Sequence, residues 1–169
     1  IVQGFRWGSR MGDGQVHDMM LGALHDPFGH GHMGITAENI SSRYQISREM
    51  QDEFALTSQK RAYEAIENGA FKDQILPIEI KTRKGIEIFE IDEHPKPETS
   101  METLTGLRTA FKKDGVVTAG NASGINDGAS ALVLANEEKA KKGNPLARIV
   151  SYGFGGVDPD EMGMGPVPA

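Results

Sequence analysis

The feature that most constrains this chain is a run of small residues over positions 116–130. Glycines recur at every fourth position, at Gly120, Gly124 and Gly128. A residue without a Cβ atom allows another backbone or a ligand to come close. The short polar side chains between them are Asn121, Ser123, Asn126 and Asp127, and an apolar run follows over 129–135. The pattern predicts a turn that faces a ligand and then enters a buried element.

Composition limits the class of protein. The 169 residues are 38% hydrophobic and 25% charged, which is typical of one globular domain or one domain plus part of another. The formal net charge of −6 argues against a nucleic-acid surface, which normally needs clustered lysine and arginine. No apolar run approaches the ~20 residues that span a bilayer, and no signal-peptide pattern opens the chain. We therefore expect no nucleic-acid and no membrane partner, and we predict a cytoplasmic protein, with an organelle matrix as the alternative setting.

The absence of cysteine has a chemical consequence. Disulfides, thiolate metal sites and a cysteine nucleophile are excluded within this chain. The chain begins with Ile1 and ends in a proline-rich extended segment at 166–169. We interpret it as a fragment of a longer protein.

The first 34 residues are rich in glycine and carry exposed-looking aromatic side chains. Phe5, Trp7 and Phe28 need a partner to cover them, and an apolar loop of this kind is often an oligomer contact. A short helix is predicted over 15–24.

Two helices follow with clear capping signals. Thr36 is predicted to cap a helix that runs to about Tyr44, with Glu38 in its first turn. Ser47 is predicted to cap a longer helix that stops at Asn68-Gly69. The predicted apolar stripe of that longer helix is Met50, Phe54, Ala62, Ala65 and Ile66.

The rest of the chain alternates between short strands and short helices. An edge strand over 75–80 pairs with 86–91 as a hairpin across Arg83-Lys84-Gly85. A short helix is predicted over 100–107. Asn136 caps a final helix that ends at Gly143, and 147–153 is predicted to be a strand.

Three histidines, His25, His30 and His32, form the most metal-like cluster. Neutral imidazoles would have to converge within ~2 Å of an ion, and a glycine-rich loop could fold them inward. The same glycine spacing is equally expected in a flexible turn. We predict no metal, with a histidine site as the weaker alternative.

Two lysines have different surroundings. Lys84 lies at the hairpin tip, where charge normally serves solubility. Lys96 lies between Pro95 and Pro97, which restrict the backbone and suit a fixed cation against a phosphate. A structural linker explains the Lys96 segment about as well.

Taken together, the segments resemble the thiolase family, in particular its acetyl-CoA acetyltransferase and β-ketothiolase branch. The resemblance runs through the whole chain in family order. The matching segments are 6–13 (Arg-Trp-Gly-Ser-Arg-Met-Gly-Asp), 32–39 (His-Met-Gly-Ile-Thr-Ala-Glu-Asn), 47–52 (Ser-Arg-Glu-Met-Gln-Asp), 107–111 (Leu-Arg-Thr-Ala-Phe), 117–124 (Val-Thr-Ala-Gly-Asn-Ala-Ser-Gly), 156–159 (Gly-Val-Asp-Pro) and 162–166 (Met-Gly-Met-Gly-Pro).

The resemblance implies an α/β, thiolase-like fold of which this chain is a fragment. Residues 1–125 would form the loop domain that thiolases insert into their first half, with 1–34 as a tetramerisation-type segment and 35–125 as the CoA-binding part. Residues 126–146 would return into the N-terminal half, and 147–169 would start the C-terminal half. The family's catalytic cysteines would lie outside this chain, so no catalytic residue is predicted here.

The resemblance also implies which residues face CoA. Ser123 resembles the hydroxyl that bonds the pantetheine arm, with Ala119 and Gly124 lining it. His32 and Met33 resemble the pair that flanks the pantetheine tunnel, and Leu24 and Phe111 resemble its apolar cover. The remaining positions are Lys96, where many relatives place an arginine against the CoA phosphates, Thr103, where a serine is common, and Met164, which resembles a residue of the acyl site.

The implied activity is acyl transfer. A thiolase forms an acyl-cysteine and condenses the acyl group with a second acyl-CoA, or runs the reverse cleavage. CoA and acyl-CoA would be substrates, with no prosthetic group, in a homotetrameric enzyme of fatty acid metabolism. The fragment alone would be inactive. The alternative is a non-catalytic CoA-binding or oligomerisation module, or a stable proteolytic product.

Overall fold

The computed structural model describes Gly8, Met11, Gly14 and residues 16–169. Two compact units divide the chain, one made of 1–40 with 125–169 and the other of 41–124. The predictions made for Phe5, Trp7 and the motif at 6–13 fall almost wholly outside the described residues.

Helices and one hairpin make up the regular structure of the described residues. The α-helices are α1 (Met19–Ala23), α2 (Met33–Tyr44), α3 (Arg48–Glu67), α4 (Met101–Thr105) and α5 (Glu137–Ala140). The strands are β1 (Ile78–Thr82) and β2 (Gly85–Phe89), and 3₁₀ segments lie at Lys72–Gln74 and Pro159–Met164.

The longest helix, α3, begins and ends where its capping signals predict. Ser47 Oγ accepts a hydrogen bond from the Met50 N–H at 3.2 Å. At the other end Gly69 has a φ of 70°, and its N–H donates to the Ile66 carbonyl at 2.9 Å. The predicted apolar stripe is wrong in its first half, because Met50 and Phe54 are exposed. The α3 side chain that is fully buried is Asp52.

The predicted hairpin is confirmed. Strands β1 and β2 are antiparallel, with Ile78 opposite Phe89 and Thr82 opposite Gly85. The first strand begins one residue after Pro77, which has no N–H to donate to a ladder. Gly85 has a φ of 133°, a conformation that a residue with a Cβ rarely adopts. Lys84 therefore lies in the hairpin turn, as predicted.

The core of the second unit lies between α3, α4 and the segment 116–121. Leu104 of α4 and Val117 are the buried apolar side chains among the described residues. The segment is anchored by a bridge between Thr109 and Thr118, in which the Ala110 N–H donates to the Val117 carbonyl at 2.9 Å. Helix α4 lies within the range predicted for a short helix, and Ser100 caps it in a reciprocal capping box with Thr103.

Helix α2 ends at Tyr44 as predicted, but its predicted start is wrong. The helix begins at Met33, and Thr36 lies inside it, buried, with its Oγ1 donating to the Met33 carbonyl at 2.7 Å. A threonine hydroxyl can bond a helical carbonyl as well as a cap N–H, so the same residue type fits both positions. Glu38 consequently lies beyond the first turn.

The short helices α1 and α5 are confirmed with narrower bounds. Asp18 caps α1 by accepting from the Leu21 N–H at 2.9 Å, so the helix starts later than predicted. Asn136 caps α5 by accepting from the Lys139 N–H at 3.1 Å. That helix ends at Ala140, before the predicted stop at Gly143.

Two predictions for the end of the chain are wrong. Residues 147–153 form no strand, and the apolar run 129–135 is exposed rather than buried, with Val133 at 99%. A strand requires a neighbour for its backbone hydrogen bonds, and an apolar side chain is buried only against another surface. Among the described residues, no strand pairs with 147–153 and no surface buries the side chains of 129–135.

Crossing a bilayer requires a helix that is both long and apolar. Within the described part of the chain, none of the helices meets that requirement.

Candidate functional site

A groove of ≈ 340 Å³ opens on the surface of the second unit. One wall is a face of α3 whose residues recur one helical turn apart. A second wall is the segment 94–95, just before Lys96, and a third is the small-residue turn at 120–123. The lining residues are Phe54, Ala55, Ser58, Gln59, Ala62, His94, Pro95, Gly120, Asn121, Ala122 and Ser123.

The groove mixes apolar surface with hydrogen-bonding groups. Phe54 is 75% exposed and offers its ring, while Ser58 and Gln59 offer a hydroxyl and an amide one turn further along α3. Such a lining offers a ligand both apolar cover and hydrogen bonds.

Ser123 lies on this groove with its side chain exposed. Its hydroxyl forms no hydrogen bond with any residue that the structure describes, so the group is available to a ligand. Ala119 is exposed in the preceding turn, and Gly124 is half-buried.

Hydrogen bonds hold the turn that carries Ser123. Asn121 Oδ1 accepts from the Thr118 N–H at 2.7 Å, and Asn121 Nδ2 donates to the Val116 carbonyl at 2.9 Å. The same Nδ2 donates to the buried carboxylate of Asp52 at 3.0 Å. The turn is therefore tied to α3 by a side chain two residues from Ser123.

The predicted close approach at Gly120 is present, but its neighbours are Leu104 of α4 and Leu107, two residues beyond that helix. A Cβ at this position would lie 2.5 Å from Leu104 Cδ2 and 2.6 Å from Leu107 Cδ1. No atom of the described residues comes within 4 Å of the equivalent point on Gly128. Gly120 thus allows close packing against Leu104 of α4, whereas the backbone at Gly128 is open.

Lys96 follows directly on the groove wall at Pro95. Its N–H donates to Gln59 Oε1 at 2.9 Å, and its carbonyl accepts from the Thr99 N–H at 3.1 Å across a turn. Its backbone is thereby fixed beside the groove. Its ammonium forms no ion pair with a described residue and is exposed.

Thr103 and Phe111 lie elsewhere in the second unit. The Thr103 hydroxyl accepts from the Ser100 N–H at 3.0 Å and donates to the Ser100 carbonyl at 2.8 Å, so it is engaged in the α4 cap. Phe111 follows the Thr109–Thr118 bridge and is partly exposed. Neither residue lines the groove.

In the first unit the structure brings Leu24, His32 and Met33 together. The Met33 N–H donates to the Leu24 carbonyl at 2.8 Å, next to a bridge between His25 and His32. The two imidazole rings meet edge-on at 5.5 Å. Leu24 and His32 are half-buried and Met33 is exposed, at the entrance of α2.

An ion pair joins the loop before His32 to the 3₁₀ segment that ends at Met164. His30 Nδ1 lies 2.7 Å from Asp160 Oδ1, and Asn39 Nδ2 donates to the Asp160 carbonyl at 3.2 Å. The hydrogen bond to Asp160 raises the pKa of His30, with a smaller opposing effect of desolvation and further support from nearby carboxylates. Met164 itself is half-buried.

Asp26 organises the same loop. The His30 N–H donates to Asp26 Oδ2 at 3.1 Å and lowers the pKa of Asp26. Desolvation raises that pKa, and the Phe28 N–H, which donates to the same oxygen at 2.8 Å, lowers it further. No three side chains of the described residues are grouped as a metal site would require. His30 faces Asp160 rather than the other two histidines.

Some residues of the site carry no signal in a local sequence pattern. Asp52 and Asn121 lie 69 positions apart, and only the fold brings them together. The available signal was an arginine and an aspartate four residues apart on a predicted helix, at Arg48 and Asp52. The sequence does not identify Phe54 and Ser58 as groove residues, because apolar residues at helical spacing normally indicate a buried face.

With this geometry in place, comparison with known proteins defines the class. Residues 2–138 match the family described as thiolase, N-terminal domain. The chain belongs to the thiolase family, and its mixture of helix and strand is a thiolase-type α/β fold.

Individual relatives narrow the comparison. The chain is 56% identical over 167 residues to the β-ketothiolase BktB of Cupriavidus necator, covering 97% of this chain and 42% of that protein. It is 56% identical over 168 residues to an acetyl-CoA acetyltransferase of Escherichia coli, again covering 97% and 42%. Human mitochondrial 3-ketoacyl-CoA thiolase in complex with CoA aligns with a TM-score of 0.83 and 45% identity, covering 100% of this chain and 42% of that chain. The chain thus spans less than half the length of these relatives.

Proposed function

We propose that this chain is the CoA-binding portion of a thiolase, which interconverts 3-oxoacyl-CoA plus CoA with acyl-CoA plus acetyl-CoA. The acyl group would be carried by a cysteine outside this chain, since the chain contains none. The observation that carries the proposal is the groove beside Ser123, in a chain that belongs to the thiolase family.

The lining of the groove supports the pantetheine arm as its ligand. Pantetheine is an elongated chain in which methylene groups alternate with amides. The Phe54 ring and Ala62 would cover the methylene groups, and the free Ser123 hydroxyl would bond an amide. The solved human thiolase that aligns with this chain has CoA bound, which is consistent with the same ligand here.

Charge supports the orientation of the ligand. The exposed Lys96 ammonium follows the groove wall at Pro95, where it can meet the phosphates of CoA. A lysine acts there as a point charge and lacks the bidentate fork of arginine. By the family resemblance, Leu24, His32, Met33 and Met164 of the first unit are further candidates for contact with CoA or its acyl group.

Substitution of Ser123 in the complete thiolase tests the proposal. Ser123→Leu fills the groove and should raise the KM for CoA strongly, while Ser123→Ala removes only the hydroxyl and should raise it less. Ser42→Leu adds the same bulk to an exposed position outside the groove and should leave the KM unchanged. An unchanged KM in Ser123→Leu would remove the groove from the CoA site.

The proposal that the acyl-carrying cysteine lies outside this chain has its own test. The isolated 169-residue chain should not catalyse thiolysis of acetoacetyl-CoA, because it has no cysteine to accept the acyl group. Measurable CoA-dependent thiolysis by the purified chain would contradict this part of the proposal.

A second candidate, an oligomerisation module, is favoured by one described residue. Phe28 is 86% exposed in the loop before His30, and an aromatic ring so exposed is often covered by a partner. The partner would be a second copy of the chain in a homotetrameric thiolase. We propose that this enzyme is cytoplasmic. Phe28→Ser should lower the mass of the assembly measured by light scattering, whereas an unchanged mass would remove Phe28 from the interface.

A further inference from the structure

Asp52 is a buried carboxylate that the proposed chemistry does not use. It is 0% exposed, and both of its oxygens accept hydrogen bonds. Oδ2 accepts from Arg48 Nε at 2.7 Å, one helical turn earlier on α3, and Oδ1 accepts from Asn121 Nδ2 at 3.0 Å. A buried charge is costly unless it is paired and bonded in this way.

Arg48 connects the same carboxylate to the end of α4. Its Nη2 donates to the Leu104 carbonyl at 2.5 Å and to the Leu107 carbonyl at 3.3 Å. The Leu104 carbonyl also accepts from the Leu107 N–H at 3.1 Å, in the turn that follows α4. Asp52 is therefore held from one side by a cation that is itself fixed.

On the other side, Asp52 is one of three groups that fix the direction of the Asn121 amide. With Nδ2 directed at the carboxylate, Oδ1 is free to accept from the Thr118 N–H, and Nδ2 also reaches the Val116 carbonyl. The reversed amide would place its oxygen against the carboxylate and the Val116 carbonyl, and its NH₂ against the Thr118 N–H. All three contacts would become repulsive.

The orientation of Asn121 shapes the turn that ends in the groove. Thr118 Oγ1 accepts from the N–H groups of Gly120 and Asn121 at 3.2 and 3.3 Å, which closes the turn on itself. Asn121 and Ser123 line the groove, whereas Asp52 does not. Asn121 is therefore the groove residue that a side-chain hydrogen bond links directly to Asp52.

We propose that Asp52 is a positioning residue for CoA, which presents the Ser123 hydroxyl to the groove by fixing the amide of Asn121. The inference rests on the proposed function. It predicts that the charge and the two acceptors of Asp52 matter for CoA affinity although the residue never touches CoA.

Asp52→Asn in the complete thiolase is the test. Arg48 and Asn121 donate to different oxygens of Asp52, and asparagine replaces one of these oxygens by an NH₂, so one of the two donors would face a donor. We expect the KM for CoA to rise on the order of ten-fold, the effect of losing one well-placed hydrogen bond, with kcat changed much less. Glu53→Gln makes the same chemical change at the next position of α3, which is exposed, and should leave both constants unchanged.

A double-mutant cycle separates positioning from general destabilisation. In the Ser123→Ala background Asp52→Asn should raise the KM only slightly, because the hydroxyl that it positions is gone. An equal rise in both backgrounds, or an unchanged KM in folded Asp52→Asn protein, would overturn the inference. If Asp52→Asn fails to fold, Asn121→Ser breaks the same link from the other side and should give the same KM shift and the same coupling.

The outcomes also separate this inference from the proposed function. If Ser123→Leu raises the KM for CoA and Asp52→Asn does not, the groove binds CoA and Asp52 is only structural. If neither does, the proposed function itself fails.

Discussion

Replacing Gly120 by alanine should destabilise the fold, because α4 occupies the space that a Cβ needs. The new carbon would lie 2.5 Å from Leu104 Cδ2 and 2.6 Å from Leu107 Cδ1, whereas carbon atoms pack at roughly 3.5–4.0 Å. Leu104 is 4% exposed and has little room to move, while Leu107 is 38% exposed and can yield. Relieving the overlap therefore requires a shift of about 1 Å in α4 or in the turn.

The size of the effect follows from two opposing terms. Overpacking of this kind costs about 1–3 kcal/mol, and the reduced freedom of alanine in the unfolded chain returns about 0.4–1 kcal/mol. We expect a net loss of about 1–2 kcal/mol, measured as a lower urea midpoint by circular dichroism on the complete thiolase. Gly120→Ala combined with Leu107→Ala should recover part of the overlap cost, since one of the two clashing side chains is removed.

Gly128→Ala is the matched control for this experiment. Gly128 lies in the same small-residue stretch, but no atom of the described residues is within 4 Å of the position of its missing Cβ. This variant should unfold at the same urea concentration as the parent or slightly above it. Equal midpoints for the Gly120 and Gly128 variants would refute the packing argument.

The remaining predictions concern a cap, an ion pair and a cation. Ser47→Ala removes the cap of α3 and should lower the free energy of unfolding by about 1 kcal/mol in urea titrations; an unchanged midpoint would contradict the cap. The pKa of His30 is raised by Asp160, so the pair should stabilise the fold fully below the unfolded value of 6.5 and lose this effect as pH rises through the folded value. The difference in free energy of unfolding between the parent and Asp160→Asn should therefore shrink from pH 5.5 to pH 9, as one histidine loses its proton. A difference that grows over this pH range would contradict the expected sign. Lys96→Ala should raise the KM for CoA several-fold and weaken its salt dependence, whereas Lys84→Ala at the hairpin tip should do neither.

Local signals predicted much of the fold because local interactions determine those elements. Ser47 and Asn68-Gly69 define α3 by bonds within one turn of each end, and Pro77 and Gly85 define the hairpin by their backbone restrictions. Thr36 failed as a predicted cap because its hydroxyl bonds a carbonyl of the turn before it. Where competing local bonds exist, the sequence pattern cannot choose between them.

The candidate site was predicted only in part, because its geometry depends on distant contacts. Ser123 was predicted from the small-residue stretch and from the family resemblance, and it lines the groove. The carboxylate of Asp52 reaches the same turn across 69 positions of sequence, which no local pattern encodes. Phe54 was predicted to be buried, and only its observed exposure places it on the groove.

A crystal structure of the complete thiolase with CoA tests the central claim most directly. The account predicts that the pantetheine arm lies in the groove between α3 and the turn 116–123, with Ser123 Oγ within ~3 Å of a pantetheine amide. Lys96 should face the phosphates in the same structure. CoA bound at another surface, with this groove empty at saturating ligand, would contradict the account.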